Sequence, residues 1–245
     1  IMRISGKILV PLLILLTIIP LETIATPYFN PVVNPNTGTE KEKLVGSLPD
    51  AKIKLYANEE DGKLTNFKLT IDKSVLSFPD WINVSNETYY PELYYSDINQ
   101  DNKQELIIVL TTDYGSEVVL QKVHVFNKVK TDTKEKFVEK SVEDPMSIIK
   151  KNVKTKLTLS EAIIKVGDDP TKINIKKYGI EPTHLFSDIA LGSVIKYKIV
   201  NNKLQALVGA SISPSGGYIG DLYITYNFKD NMYQAEQIKF VPTSS

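Results

Sequence analysis

The sequence predicts a mainly β protein, built from antiparallel sheets and meanders, with one short helix near residues 145–152. Three observations carry this. Apolar and polar residues alternate late in the chain: Leu204, Ala206, Val208, Ala210 and Ile212 in one run, then Leu222, Ile224, Tyr226 and Phe228 in another. A side-chain period of two marks a half-buried strand. Asn201-Asn202 and Asp230-Asn231 separate such runs, and residues of this kind tolerate the positive φ that two-residue hairpin turns require. Asp144-Pro145 reads as a helix start, with Asp at the N-cap and Pro at the first helical position.

Taken in order, the chain begins with the three parts of a secretory signal over residues 1–25. Arg3 and Lys7 form a basic start, Ile8 to Ile19 is an apolar run, and Thr23-Ile24-Ala25 supplies small residues before a cleavage point. The run is short for a transmembrane helix, which needs about 20 residues. Membrane contact is therefore expected only through this signal segment. Residues 26–49 carry Pro27, Pro31, Pro35 and Pro49 among Asn, Thr and Gly, and read as an extended linker.

A first β module is expected over 50–145. Lys52 to Ala57 alternates, as do Phe67, Leu69 and Ile71, and Val75 to Phe78 is a further short piece. Pro79, Asn83 and Asn86 mark a loop that holds Trp81. Leu93, Tyr94 and Tyr95 enter an acidic loop, and Leu106 to Leu110 leaves it as a short apolar run of the kind that forms a buried strand. Val118 to Phe126 is another strand. Lys128 to Val142 mixes charges and reads as an exposed hairpin or loop. The helix over Pro145 to Asn152 opens a second module, 146–245. Its strands are Ala162 to Val166, Lys172 to Ile175, Ser193 to Val200, Leu204 to Ser213, Tyr218 to Lys229 and Met232 to Val241. Along the last of these, Tyr233 and Ala235 share one parity while Ile238 and Phe240 share the other. A slip of one residue flips every side chain to the opposite face, so a bulge is expected near Glu236.

The readable chemistry lies between the strands at 93–95 and 106–110. Asp97, Asn99, Asp101 and Glu105 stand at positions 1, 3, 5 and 9 of one loop. Alternate oxygen-bearing side chains on a tight loop converge on one point, which suits a hard cation such as Ca²⁺ with its six to eight oxygen ligands. An EF-hand would need Gly at position 6 and Glu at position 12, where Asn102 and Ile108 stand. It would also need helical flanks.

An acid at position 9 followed by an apolar strand resembles the calcium loop of FG-GAP (VCBS-type) repeats, known from integrin-like propellers. The resemblance covers roughly 89–127. It implies Asp97, Asn99, Asp101 and Glu105 as side-chain ligands and Lys103 as a backbone-carbonyl ligand, with Ca²⁺ as the cofactor. Asn102 in place of Gly is the departure. The stretch also looks like secreted proteins of Gram-positive bacteria that carry a single such repeat. No second copy of the motif is found, and a propeller needs at least four blades, so a complete propeller is not expected.

Composition narrows the function. Lys and Arg number 29 and Asp and Glu number 29, so no electrostatic case exists for nucleic acid or for an anionic membrane. The absence of Cys removes disulfides, thiolate nucleophiles and Cys-zinc sites. The 2 His residues are too few for a His-rich zinc site. Gly209 to Ser213 lacks the second Gly of a nucleophile elbow. His124 lies inside a strand, and the sequence identifies no partner that would make it a general base. No catalytic residue is assigned. The expectation is a secreted or surface-associated bacterial module, stabilised by calcium, that binds or builds a cell-wall or surface component. A wall-directed hydrolase using two carboxylates is one alternative. A carbohydrate-binding module with Trp81, Tyr89 and Tyr90 as an exposed platform is the other.

Overall fold

The computed structural model describes residues 42–130 and 135–243. The signal segment and the linker as far as residue 41 lie outside them. From residue 42 on, the chain belongs to one contact unit. Its first sheet comprises β1 (Lys43–Leu48), β2 (Ile53–Glu60), β3 (Lys63–Ile71), β4 (Ser74–Phe78) and β5 (Asn83–Val84), ordered β1-β2-β3-β4 with β5 beside β3. The end of the expected linker is thus a strand. Its pairing jumps from Leu44↔Tyr56 to Gly46↔Leu55, leaving Val45 as a bulge. The bulge breaks the alternation that would have marked the strand. Gly46 lets Leu93 pack close: a Cβ there would lie 2.7 Å from the Leu93 Cδ1 methyl, which would have to shift.

The chain continues through β6 (Glu92–Ser96), β7 (Glu105–Gly115), β8 (Val118–Lys130) and β9 (Glu135–Val142). The charged stretch after Phe126 extends β8 and forms β9, so it is the hairpin of the two expected forms. Helix α1 (Pro145–Asn152) starts as expected, the Asp144 carboxylate accepting the Ser147 N–H at 2.7 Å. Then come β10 (Val153–Leu157), β11 (Glu161–Val166) and β12 (Asp169–Asn174) as a three-stranded sheet, followed by the meander β13 (Ala190–Val200), β14 (Lys203–Ser211), β15 (Tyr218–Lys229) and β16 (Met232–Pro242). At the meander's tight turns, Asn201, Asn202, Asp230 and Asn231 all take positive φ, between 50° and 63°.

Residue 145 does not divide the sheets. β13, β14, β15, β16, β9, β8, β7 and β6 are neighbours in that order in one eight-stranded sheet. Parallel contacts of β16 with β9 (Met232↔Ser141) and of β13 with β8 (Val194↔Val119) join the two stretches expected as modules. These contacts lie far apart in sequence, which is why hydrophobic period alone does not reveal them.

β7 holds the structure together. Leu106, Ile108 and Leu110 face the first sheet and pack with Ile53, Leu55 and Phe67. Ile107 and Val109 face the other core, with Ile148, Ala206, Leu222 and Tyr226. All five are at most 1% exposed. At about 1.5 to 3 kcal/mol for each fully buried side chain of this size, the strand is anchored from both sides. The tyrosine hydroxyls entering the second core are satisfied: Tyr226 donates to the Glu143 carbonyl at 3.0 Å and Tyr233 to Asn127 Oδ1 at 3.1 Å.

The bulge expected near Glu236 is present. Thr225 pairs with Gln237 and Tyr226 with Ala235, so Glu236 has no partner across the ladder. The extra residue lets Tyr233 and Phe240 both be buried despite their opposite parity.

Candidate metal centre

The acidic loop joins β6 to β7, and its last acid, Glu105, is the first residue of β7. Two residues of the loop, Gln100 and Asn102, take positive φ, each at 64°. Asn102 takes this conformation at position 6 of the loop, and Asn tolerates it better than most side chains. The loop is closed by its own acids. Asp97 accepts the backbone N–H of Asp101 at 3.1 Å through Oδ1 and that of Asn102 at 3.0 Å through Oδ2. Asn99 Oδ1 accepts the Asp101 N–H at 2.9 Å, and Asp101 Oδ1 accepts the Lys103 N–H at 2.8 Å. The side chains of Asp101 and Lys103 are exposed, while Asp97 and Asn99 are half-buried.

Glu105 is different. It is fully buried. Its Oε2 accepts the N–H groups of Ile98 at 2.9 Å and Asn99 at 3.3 Å. Its Oε1 is buried with no hydrogen-bond partner. Burial pushes this carboxyl up from 4.5 to about 7; the Ile98 and Asn99 N–H groups pull it down, and the charges of Asp101 and Asp97 push it further up. A buried carboxylate with one unsatisfied oxygen is costly unless a proton or a cation joins it. Sequence alone gives Glu105 the same rank as the other acids, because its burial comes from the tertiary packing of β7.

Among the described residues no three His, Cys, Asp or Glu side chains form a ready-made metal-holding group. The donor chemistry nevertheless fits calcium. Each carboxylate oxygen has more than one acceptor site, so an oxygen that takes an N–H can also ligate. Asp97, Asn99, Asp101, Glu105 and the Lys103 carbonyl would supply hard oxygen donors, and the orphaned Glu105 Oε1 would gain the partner it lacks.

The chain was compared with known protein families, curated proteins and solved structures. No match was found.

Trp81 is 8% exposed and belongs to the core. Its ring stacks on Phe78 at 3.9 Å and on His124 at 4.0 Å between centroids. It is therefore not part of an exposed platform with Tyr89 and Tyr90. His124 has the partner that the sequence does not disclose: its Nδ1 lies 2.7 Å from Glu139 Oε1 on the adjacent strand. That pair and the Trp81 stack fix the imidazole against the core. Among the surface clefts lined by described residues, one of about 740 Å³ includes Glu181 as its acid, and three smaller ones include Asp50, Asp169 and Glu236 respectively. None of these four brings two acids together as a carboxylate hydrolase requires.

Proposed function

We propose that this chain is an exported, calcium-stabilised β module that binds or builds part of a bacterial cell surface or wall. The observation that carries the calcium reading is the buried Glu105 carboxylate, with Oε1 unpartnered beneath a loop that also holds Asp97, Asn99 and Asp101. Export is supported by the basic start, apolar run and small residues of the first 25 positions. Calcium would hold the loop, and the doubly packed β7 would carry that rigidity into both cores.

The expected affinity is that of extracellular modules, about 10⁻⁴ to 10⁻³ M. At free Ca²⁺ ten times the dissociation constant, linkage adds RT ln 11, about 1.4 kcal/mol. In a body of this size, at about 2 to 4 °C per kcal/mol, that corresponds to about 3 to 6 °C in melting temperature. The test is a thermal melt in chelator and in millimolar Ca²⁺, beside calorimetric titration. Identical melts with no titration heat would leave 97–105 as an ordinary polar turn. For export, the protein recovered from medium or wall is expected to begin near Thr26. An intact N-terminus on membrane-bound protein would overturn that part of the reading.

A further inference from the structure

The outer face of β13 to β16 carries side chains that the calcium site does not use. Residues directly opposite in antiparallel strands project to the same face. The pairs Lys196↔Leu207, Leu207↔Tyr223 and Tyr223↔Lys239 therefore make one row across four strands. The next row is Lys198, Gln205, Thr225 and Gln237. On the other side of the first row, Asp221 pairs with Gly209 and with Val241.

The aromatic rings on this face are held in place. A Cβ on Gly209 would lie 3.3 Å from the Tyr218 ring and 3.0 Å from the Val194 Cβ, so Tyr218 rests closely over Gly209 and a larger residue there would have to displace one of these neighbours. Asp221 accepts the Tyr218 hydroxyl, and the Tyr223 hydroxyl lies 3.5 Å from its other oxygen. Lys198 Nζ lies 5.0 Å from the Tyr223 ring centroid, a cation–π distance.

Lys196, Lys198 and Lys239 are exposed. Among the described residues none of the three has an ion-pair partner. Lys203, at the edge of the same face, is neutralised by Glu236. Three ammonium groups outnumber the carboxylates beside them, Asp221 on this face and Asp169 in the cleft that Lys239 also lines, and give a local surplus of positive charge in a chain whose formal net charge is zero.

We infer that this face binds an anionic polysaccharide, with sugar rings on Tyr223 and Tyr218 and acid groups on Lys196, Lys198 and Lys239. The inference deepens the surface-module reading and rests on it. Lys196 and Lys239 are separated by three strand spacings of about 4.8 Å, roughly 14 Å. A polymer lying across the strands would meet a cation at either end and an aromatic ring between. Asp221 suits a ligand rich in hydroxyl groups, because a carboxylate accepts hydrogen bonds from them and repels a backbone of contiguous phosphates. Between the lysines, Leu207 and Tyr223 are half-buried; the exposed apolar side chains of this face are Tyr218 and Val241, and tight binding to anionic vesicles is the outcome that would favour a membrane.

The test is binding of hyaluronate to the full chain, in chelator and again in millimolar Ca²⁺, with dextran, an oligothymidylate and anionic vesicles as comparators. Hyaluronate is expected to bind in both conditions, more weakly as salt rises, while dextran does not. The double variant Lys196→Gln with Lys239→Gln, and separately Tyr223→Ala, should each weaken binding tenfold or more. Lys54→Gln, on the first sheet, should not. Thermal melts establish that the variants are folded, and the lysine double variant removes no buried group. No hyaluronate binding, equal binding of dextran, tighter binding of oligothymidylate or vesicles, or an unaffected lysine double variant would overturn the inference. Loss of the calcium response with hyaluronate binding intact would count against the calcium site alone.

Discussion

Glu105 Oε2 accepts the backbone N–H of Ile98 at 2.9 Å, tying the first residue of β7 to the second residue of the acidic loop. The contact makes the loop and the central strand one mechanical piece. It also orients the carboxylate so that one oxygen is used and the other is left without a partner. A site with one satisfied and one unsatisfied oxygen is sensitive to whatever can occupy the second, and its first consequence is a dependence on pH.

In chelator, stability should fall as pH rises from about 4.5 to about 7. The fold raises the Glu105 carboxyl from 4.5 to about 7, so the folded state holds this proton over a range in which the unfolded chain has lost it. Below 4.5 both states are protonated and the group contributes nothing. Above 7 both are ionised and the fold carries the full penalty of the buried charge, of the order of 3 kcal/mol. Glu105→Gln should flatten this part of the profile, and in chelator at pH 7.5 it should melt several degrees above the parent. The glutamine oxygen can still accept the Ile98 N–H. Parallel pH profiles for the two proteins would show that Glu105 does not carry the effect.

Asp97 and Asp101 should behave differently when removed, although the motif treats them alike. Asp97 closes the loop with both oxygens, accepting the Asp101 and Asn102 N–H groups. Asp97→Ala is therefore expected to lower stability by about 1 to 2 kcal/mol even in chelator, and also to abolish the calcium response. Asp101 is exposed and holds one N–H, that of Lys103. Asp101→Ala should abolish the calcium-dependent part with a smaller effect in chelator. His124→Ala should leave the calcium response intact, since its contacts are Trp81 and Glu139. Melts of the three variants in chelator and in calcium check this. Equal effects of Asp97→Ala and Asp101→Ala in chelator would contradict it.

Locally encoded features were legible in the sequence. The Asn201-Asn202 and Asp230-Asn231 turns need only positive φ at those residues, and α1 needs only Asp144 and Pro145 at its start. The Glu236 bulge was legible because Tyr233 and Phe240 cannot both face inward along an unbroken ladder. Features set by distant partners were not. β1 was hidden by the bulge at Val45 and is defined by its pairing with β2 and the seat of Gly46 on Leu93. Trp81 looks available in a loop sequence until Phe78 and His124 enclose it. Glu105 shows its exceptional burial only once β7 is covered on both sides. The face bearing Tyr218 and Tyr223 arises from the register of four strands, which no single segment contains.

The bulge itself allows a sharp test of register. Deleting one residue from a strand normally turns everything beyond it to the wrong face. Deleting Glu236 should not, because Ala235 already pairs with Tyr226 and Gln237 with Thr225 on either side of it. The shortened strand would make a regular ladder and lose mainly the exposed ion pair between Lys203 and Glu236, worth about 0 to 1 kcal/mol. Deleting Ile238 instead should bring Gln237 to the position opposite Ile224. That removes an apolar side chain packed against the core and places an amide there, for a loss of about 2 to 5 kcal/mol. Thermal melts are expected to show the Glu236 deletion within a few degrees of the parent and the Ile238 deletion far below it. If both fall equally, the unpaired residue is needed for the bend of β16 and not only for its parity.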